Sequence, residues 1–193
     1  MDTDSIPRKK SLKEEYERSE DLRAIILPAE EPVRSYAKRL ERALAEEDRK
    51  GVQVAANDIA KIIAESFEIP DSPIKVLGVR PRKVTEKSVF ETFGDYDTET
   101  MKIRLWMRTA ILQKPSAFGT LLSTLCHELC HHLDSVHLEL PNTYHTRGFY
   151  ERAGVLYHHI RDTPLRPLVW NPHKNGTYSI NWPATMRGAK PPR

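Results

Sequence analysis

The sequence contains no apolar run approaching the roughly 18 residues that a membrane span needs. Its opening stretch, MDTDSIPRKKSLKEEYERSE, lacks the apolar segment of a secretory signal. Cysteine is scarce as well: Cys126 and Cys130 are the only two in 193 residues. Lying four apart on one expected helix, they have poor geometry for a disulfide, and two thiols without a framework suit a reducing compartment. Together these absences predict a cytoplasmic chain. The length fits one domain with tails and is enough to bury a core.

Nor is there a large excess of either charge; the net charge is +3. What charge there is lies unevenly. Residues 1–30 carry 6 basic and 8 acidic side chains, residues 31–160 carry 18 of each, and residues 161–193 carry 6 basic and 1 acidic. A basic C-terminal stretch can bind a polyanion such as DNA weakly, although a solvated tail is the plainer reading.

Residues 1–30 alternate charge with little apolar periodicity and read as a disordered or loosely helical segment. From Glu31 the spacing of Val33, Tyr36, Ala37, Leu40 and Leu44 predicts a helix, with Pro32 in its first turn and Gly51 as its stop. A second helix should turn Val54, Ala55, Ile59, Ile62, Ile63 and Phe67 inward and end before Pro70. The period then changes. Residues 73–79 (PIKVLGV) read as a strand, and residues 88–107 as two strands around a polar turn near Asp95–Thr98. Ile103, Leu105 and Met107 alternate with Lys102, Arg104 and Trp106, which predicts one buried face. Ser116 is the expected N-cap of a helix running to about Asp134, and another helix is expected from about Thr143 to Arg161. Asn175-Gly176 marks a hairpin turn.

The chain has eight histidines, and four of them fall in HELCHHLDSVH, residues 127–137. Its first five residues are HExxH. On a helix, positions four apart share a face, so His127 and His131 can reach one zinc ion. Glu128 then lies beside the metal, where a carboxylate can act as general base on a water molecule. Leu121, Leu122, Leu125, Leu129 and Leu133 form an apolar stripe, and the two histidines point roughly 180° from its centre. One face is built for a core and the other for a cleft. His132 falls off the ligand face and reads as surface or as support. Asp134 either orients a ligand imidazole or ends the helix, and the cysteines read as small apolar packing.

A catalytic zinc normally has three protein ligands and an open position. Three residues compete for the third place. His137 has the spacing of HExxHxxGxxH proteases, but Asp134 stands where that pattern has glycine. Glu151 lies at the distance at which thermolysin-like enzymes place a ligand glutamate. His145 is the other candidate. On a helix from Thr143 it shares a face with Phe149 and points roughly 240° from Glu151, so one helix cannot offer both to one metal.

HELCH followed by His145 and Phe149, with GDYDTETMKIRLW upstream, resembles the SprT-like zinc metallopeptidases, the Spartan-type protease core. The resemblance covers residues 50–160. It implies an α+β, zincin-like domain over 31–184, with helices packed on a small β-sheet around the HExxH helix and a flexible basic tail over 185–193. It also implies Zn2+ held by His127, His131 and His145, Glu128 as catalytic acid and base, and a protein or peptide substrate. The family's cysteine-rich zinc ribbon is missing, since no cysteine follows Cys130. The expected activity is metal-dependent peptide hydrolysis, with the strand ending near Trp106 aligning an extended substrate. Tyr144, Arg147 and Tyr150 are candidate oxyanion donors. Two other readings remain: a zinc-binding nucleic-acid adaptor without proteolysis, and a hydrolase of a non-peptide substrate.

Overall fold

The alternation of Ile103, Leu105 and Met107 does bury one face of a strand, and that strand lies at the centre of a small sheet. In the computed structural model, which describes residues 1–27, 30–84 and 89–188, it is β5 (Lys102–Arg108). It pairs in parallel with β1 (Ile74–Val79), Val76 opposite Leu105, and antiparallel with β4 (Gly94–Asp97), Gly94 opposite Leu105. β2 (Arg82–Val84) pairs with β3 (Val89–Glu91), and β6 (Trp170–Pro172) with β7 (Tyr178–Ile180), each as a separate antiparallel ribbon. Gly176 makes the turn of the second ribbon at φ 82°, where the Asn-Gly pair placed it. The chain is α+β.

The turn between β4 and β5 falls at residues 98–101, later than polarity alone predicts. Asp95 remains in the strand because its carboxylate accepts two hydrogen bonds from Arg104 opposite it, at 2.8 and 2.6 Å. Asp97 shapes the turn instead, accepting from the backbone N–H of Glu99 and Thr100 at 3.0 and 2.9 Å.

α2 (Glu30–Ala45) and α3 (Arg49–Ser66) pack on each other and, through α3, on β1. Gly51 does not stop α2. The chain turns at Glu47, which takes a left-handed φ of 57°, and Asp48 caps α3 by accepting from the Lys50 N–H at 3.0 Å. The buried stripe of α3 therefore includes Val52, Ala56 and Ala60 and leaves Val54 half exposed. Two polar residues of α3 close the outer edge of β1. Gln53 accepts from the Val76 N–H at 3.0 Å, while Asn57 both accepts from and donates to the Ile74 backbone at 2.9 Å. Among the described residues no strand pairs with the outer edge of β4, so the sheet has one covered edge and one open edge.

α4 (Phe118–Val136) lays Leu121, Leu122, Leu125, Leu129 and Leu133 into the core, as the stripe predicts. Ser116 is not its cap. Ala117 holds that position, and the Ser116 hydroxyl accepts from the buried Arg80 at 2.7 Å. α5 (Arg147–Arg161) begins later than expected, because the Thr146 hydroxyl caps it by accepting from the Phe149 N–H at 3.0 Å. α6 (Trp182–Arg187), capped by Asn181, takes up the start of the stretch expected to be a tail. The rest of that tail, residues 189–193, lies outside the described residues. Among the described residues no helix is long and apolar enough to cross a membrane.

The largest departure concerns residues 1–30, expected to be disordered or loosely helical. α1 (Lys10–Asp21) is a regular helix that buries only Tyr16 and Ser19, which explains its weak apolar signature. Polar contacts hold it. Arg152 and Asp134, both fully buried, form a two-pronged ion pair at 3.0 and 2.6 Å. The remaining Arg152 N–H groups donate to the Ser19 carbonyl at 2.9 Å, the Ser19 hydroxyl at 3.1 Å and the Leu22 carbonyl. α1, α4 and α5 thus meet at one guanidinium. Asp134 therefore neither ends its helix nor touches a ligand imidazole.

Removing one partner of a buried ion pair leaves an uncompensated charge, at a cost of about 3–5 kcal/mol. Asp134→Ala should lose stability on that scale in chemical denaturation. A loss below about 1 kcal/mol would show that Arg152 is satisfied without it.

Candidate metal centre

His127 and His131 project from one face of α4, their Nε2 atoms 3.2 Å apart. His145 comes from the loop just before the Thr146 cap and brings its Nε2 to 3.1 Å from that of His127. The three form a cluster able to hold a metal ion, with their candidate ligand atoms all within 4.8 Å of one another. Nitrogens at about 2.0–2.1 Å from a tetrahedral zinc stand about 3.3 Å apart, which matches the closest spacings here. Two of the donors fit in their protonation too. Burial pushes His127 down to about 3, helped by the charge of His145. Burial also pushes His131 down to about 2, helped by His127 and His145. Neutral imidazole is the form that binds metal.

The rings are held by packing. Phe149 lies against all three, with ring centroids 4.5 Å from His131, 4.9 Å from His127 and 5.0 Å from His145. Tyr96 of β4 lies parallel to His131 at 6.5 Å. Phe149 thus sits beneath the cluster, but it does not share a helix face with His145, which precedes the helix. The Thr-x-x-Phe spacing from Thr146, a side-chain cap three residues before the amide it serves, was the available signal.

The rival ligands are engaged elsewhere. His137 caps α4 and packs its ring on Phe67 at 4.8 Å. Glu151 accepts from Arg23 at 3.1 Å and from the Trp170 indole at 3.3 Å. His132 is not on the surface. It is buried between Tyr96, whose hydroxyl is 3.0 Å from Nδ1, and the Pro70 carbonyl, 2.8 Å from Nε2. Both cysteines are buried and burial raises their thiols; Cys126 packs in the core, and the Cys130 thiol donates to the Phe149 carbonyl at 3.6 Å. Two of the three candidate oxyanion donors, Tyr150 and Arg147, have their donor groups engaged as well. The Tyr150 hydroxyl donates to the Asp2 carbonyl at 3.1 Å, Arg147 pairs with Glu20, and Tyr144 packs against Tyr16.

Glu128 is 5% exposed. Burial pushes its carboxyl up to about 8, with the charge of Asp95 adding to the shift. It lies against β4 at Gly94, where an added Cβ would stand 3.0 Å from Oε1 of Glu128 and 2.7 Å from the Thr124 methyl. Glycine is what lets the open-edged strand approach this close. Trp106, by contrast, lies on the central strand, whose backbone is engaged by β1 on one side and β4 on the other. The edge beside the cluster is β4. Asp4, which periodicity could not single out, reaches the cluster from the N-terminal segment. Its carboxylate accepts from the His145 backbone N–H at 2.8 Å and lies 3.4 Å from His145 Nδ1. That imidazole holds the Asp4 carboxyl below its usual range, against the opposing effect of burial.

Compared with known proteins, the chain matches no protein-family model, no curated protein and no solved structure.

Two outcomes follow from this geometry. In competition with a chelator, His145→Ala should weaken zinc binding far more than His137→Ala or Glu151→Ala; a greater loss in His137→Ala would place the third ligand elsewhere. The second is a pH effect in the metal-free protein. With a folded value of about 8 above an ordinary 4.5, Glu128 contributes stability that is present below pH 4.5 and lost as the pH rises towards 8. Glu128→Gln removes that slope and should gain on the parent by a few kcal/mol between about pH 5 and pH 9. Parallel pH–stability curves for the two would mean that Glu128 ionises freely.

Proposed function

We propose that the chain is a zinc-dependent metallopeptidase with a zincin-like fold, of the SprT-like kind that its motifs resemble. The observation that carries this reading is the convergence of three imidazoles beside a buried glutamate and an open strand edge. His127, His131 and His145 would hold the ion. When bound, zinc supplies Lewis acidity to a water molecule and to a scissile carbonyl.

The remaining roles belong to the chain itself. Glu128 takes a proton from the attacking water and returns it to the leaving amine. Its burial suits it to this work, because a carboxylate with a raised pKa holds a proton more readily. β4 receives an extended peptide along its free edge by backbone hydrogen bonding, with Gly94 keeping the strand close to Glu128. This reading needs an intact general base, which a purely structural zinc site does not.

Purified protein should bind about one zinc per chain, and Glu128→Gln should keep both zinc and fold. It should lose hydrolysis of an unstructured protein substrate by about 10²-fold or more. Equal cleavage by variant and parent would sink Glu128 as the base. Zinc uptake with no cleavage by the parent would point to a binding protein.

A further inference from the structure

The three histidines are not held in the same way. His127 and His131 lie on α4, where the helix fixes their Cα–Cβ directions. His145 lies in a loop, between Thr143 at φ 42° and the Thr146 cap, so Phe149 and Tyr150 of α5 pack on its ring at 5.0 and 5.7 Å but no helix backbone fixes its Cα–Cβ direction. Its polar contacts outside the cluster come from residue 4. The Asp4 N–H donates to the His145 carbonyl at 2.9 Å, and the His145 N–H donates back to Asp4 Oδ2 at 2.8 Å. The same carboxylate oxygen is 3.4 Å from Nδ1, on the far side of the ring from the Nε2 that meets His127.

Residue 4 is itself delivered by a strand-like pairing. The Thr3 N–H donates to the Tyr178 carbonyl at 2.8 Å, and its hydroxyl accepts from the Tyr178 N–H at 2.9 Å. Asp2 bridges to Ser179, and the Ile180 N–H donates to the Met1 carbonyl at 3.2 Å. The Tyr16 hydroxyl of α1 clamps the Asp4 carbonyl at 3.1 Å. A carboxylate on the outer nitrogen of a ligand imidazole fixes its tautomer and its ring direction, leaving the inner lone pair free for a metal.

We infer that Asp4 is a positioning residue for the metal centre: docked by residues 1–3 on β7, its carboxylate orients the His145 imidazole through Nδ1 and so sets the grip and geometry of metal binding. The inference rests on the metal-site reading above, and its test separates the two.

The test uses the full chain, with zinc affinity from competition with a chromophoric chelator and the visible absorption of the Co2+-substituted protein. Asp4→Ala should weaken zinc binding by about 10–100-fold and alter the Co2+ spectrum. Asp4→Asn keeps an oxygen that can accept from the His145 N–H, so it should melt like the parent. It lacks the carboxylate charge and should still bind zinc more weakly. If Asp4→Ala fails to fold, Asp4→Asn decides alone. Parent-like affinity and spectrum in Asp4→Asn would overturn the inference, reducing residue 4 to a backbone clasp, while loss of binding in His145→Ala would leave the metal site standing. A parent protein that takes up neither ion would remove both readings together.

Discussion

One guanidinium ties the molecule together. Arg152 of α5 has no exposed surface, so each of its N–H groups needs a partner inside the protein, and it finds them on α4 and at the end of α1. Its ion pair with Asp134 fixes α5 against α4, and its bonds to Ser19 and Leu22 fix the end of α1 against both. The close packing at Gly148 has the same origin, because any side chain there would collide with the Ser19 carbonyl. A buried ion pair is a poor source of stability compared with an apolar contact, but it is demanding about geometry. Here that geometry places the loop carrying His145 over the two histidines of α4.

The site also sets electrostatics against packing. A pocket dry enough to keep His127 and His131 neutral is dry enough to resist ionisation of Glu128. Phe149, itself part of the core, and Tyr96 of β4 pack against the histidines and keep water from them. The core and the site are therefore not separate regions joined by a helix. They share one wall.

Much of this was legible in the residues. The leucine stripe and the two histidines of α4 follow from a period of 3.6, and Ile103, Leu105 and Met107 from a period of 2, because each of those faces is set by burial. What periodicity could not reveal was held by hydrogen bonds. α1 presents almost no apolar stripe, since its anchors are the Ser19 and Leu22 carbonyls and the Glu15 and Glu20 side chains. Asp4 carries no pattern at all, because its partner is distant in sequence. The boundaries at Gly51, Ser116 and Thr143 were misplaced for a related reason. Glu47 and Thr143 turn the chain in left-handed conformations and the Asp48 and Thr146 side chains cap the helices that follow, whereas Ser116 gives its hydroxyl to Arg80 and leaves the cap position to Ala117.

Sequence separation orders the assembly of the cluster. His127 and His131 are four residues apart and meet as soon as α4 forms. His145 joins them across 18 residues, and Asp4 reaches His145 across 141. Each step closes a longer loop and forfeits more chain entropy before any contact repays it. A chain with α4 formed but its first residues undocked holds two histidines in register and a third that lacks its carboxylate partner. The complete triangle of nitrogens belongs to the finished fold alone.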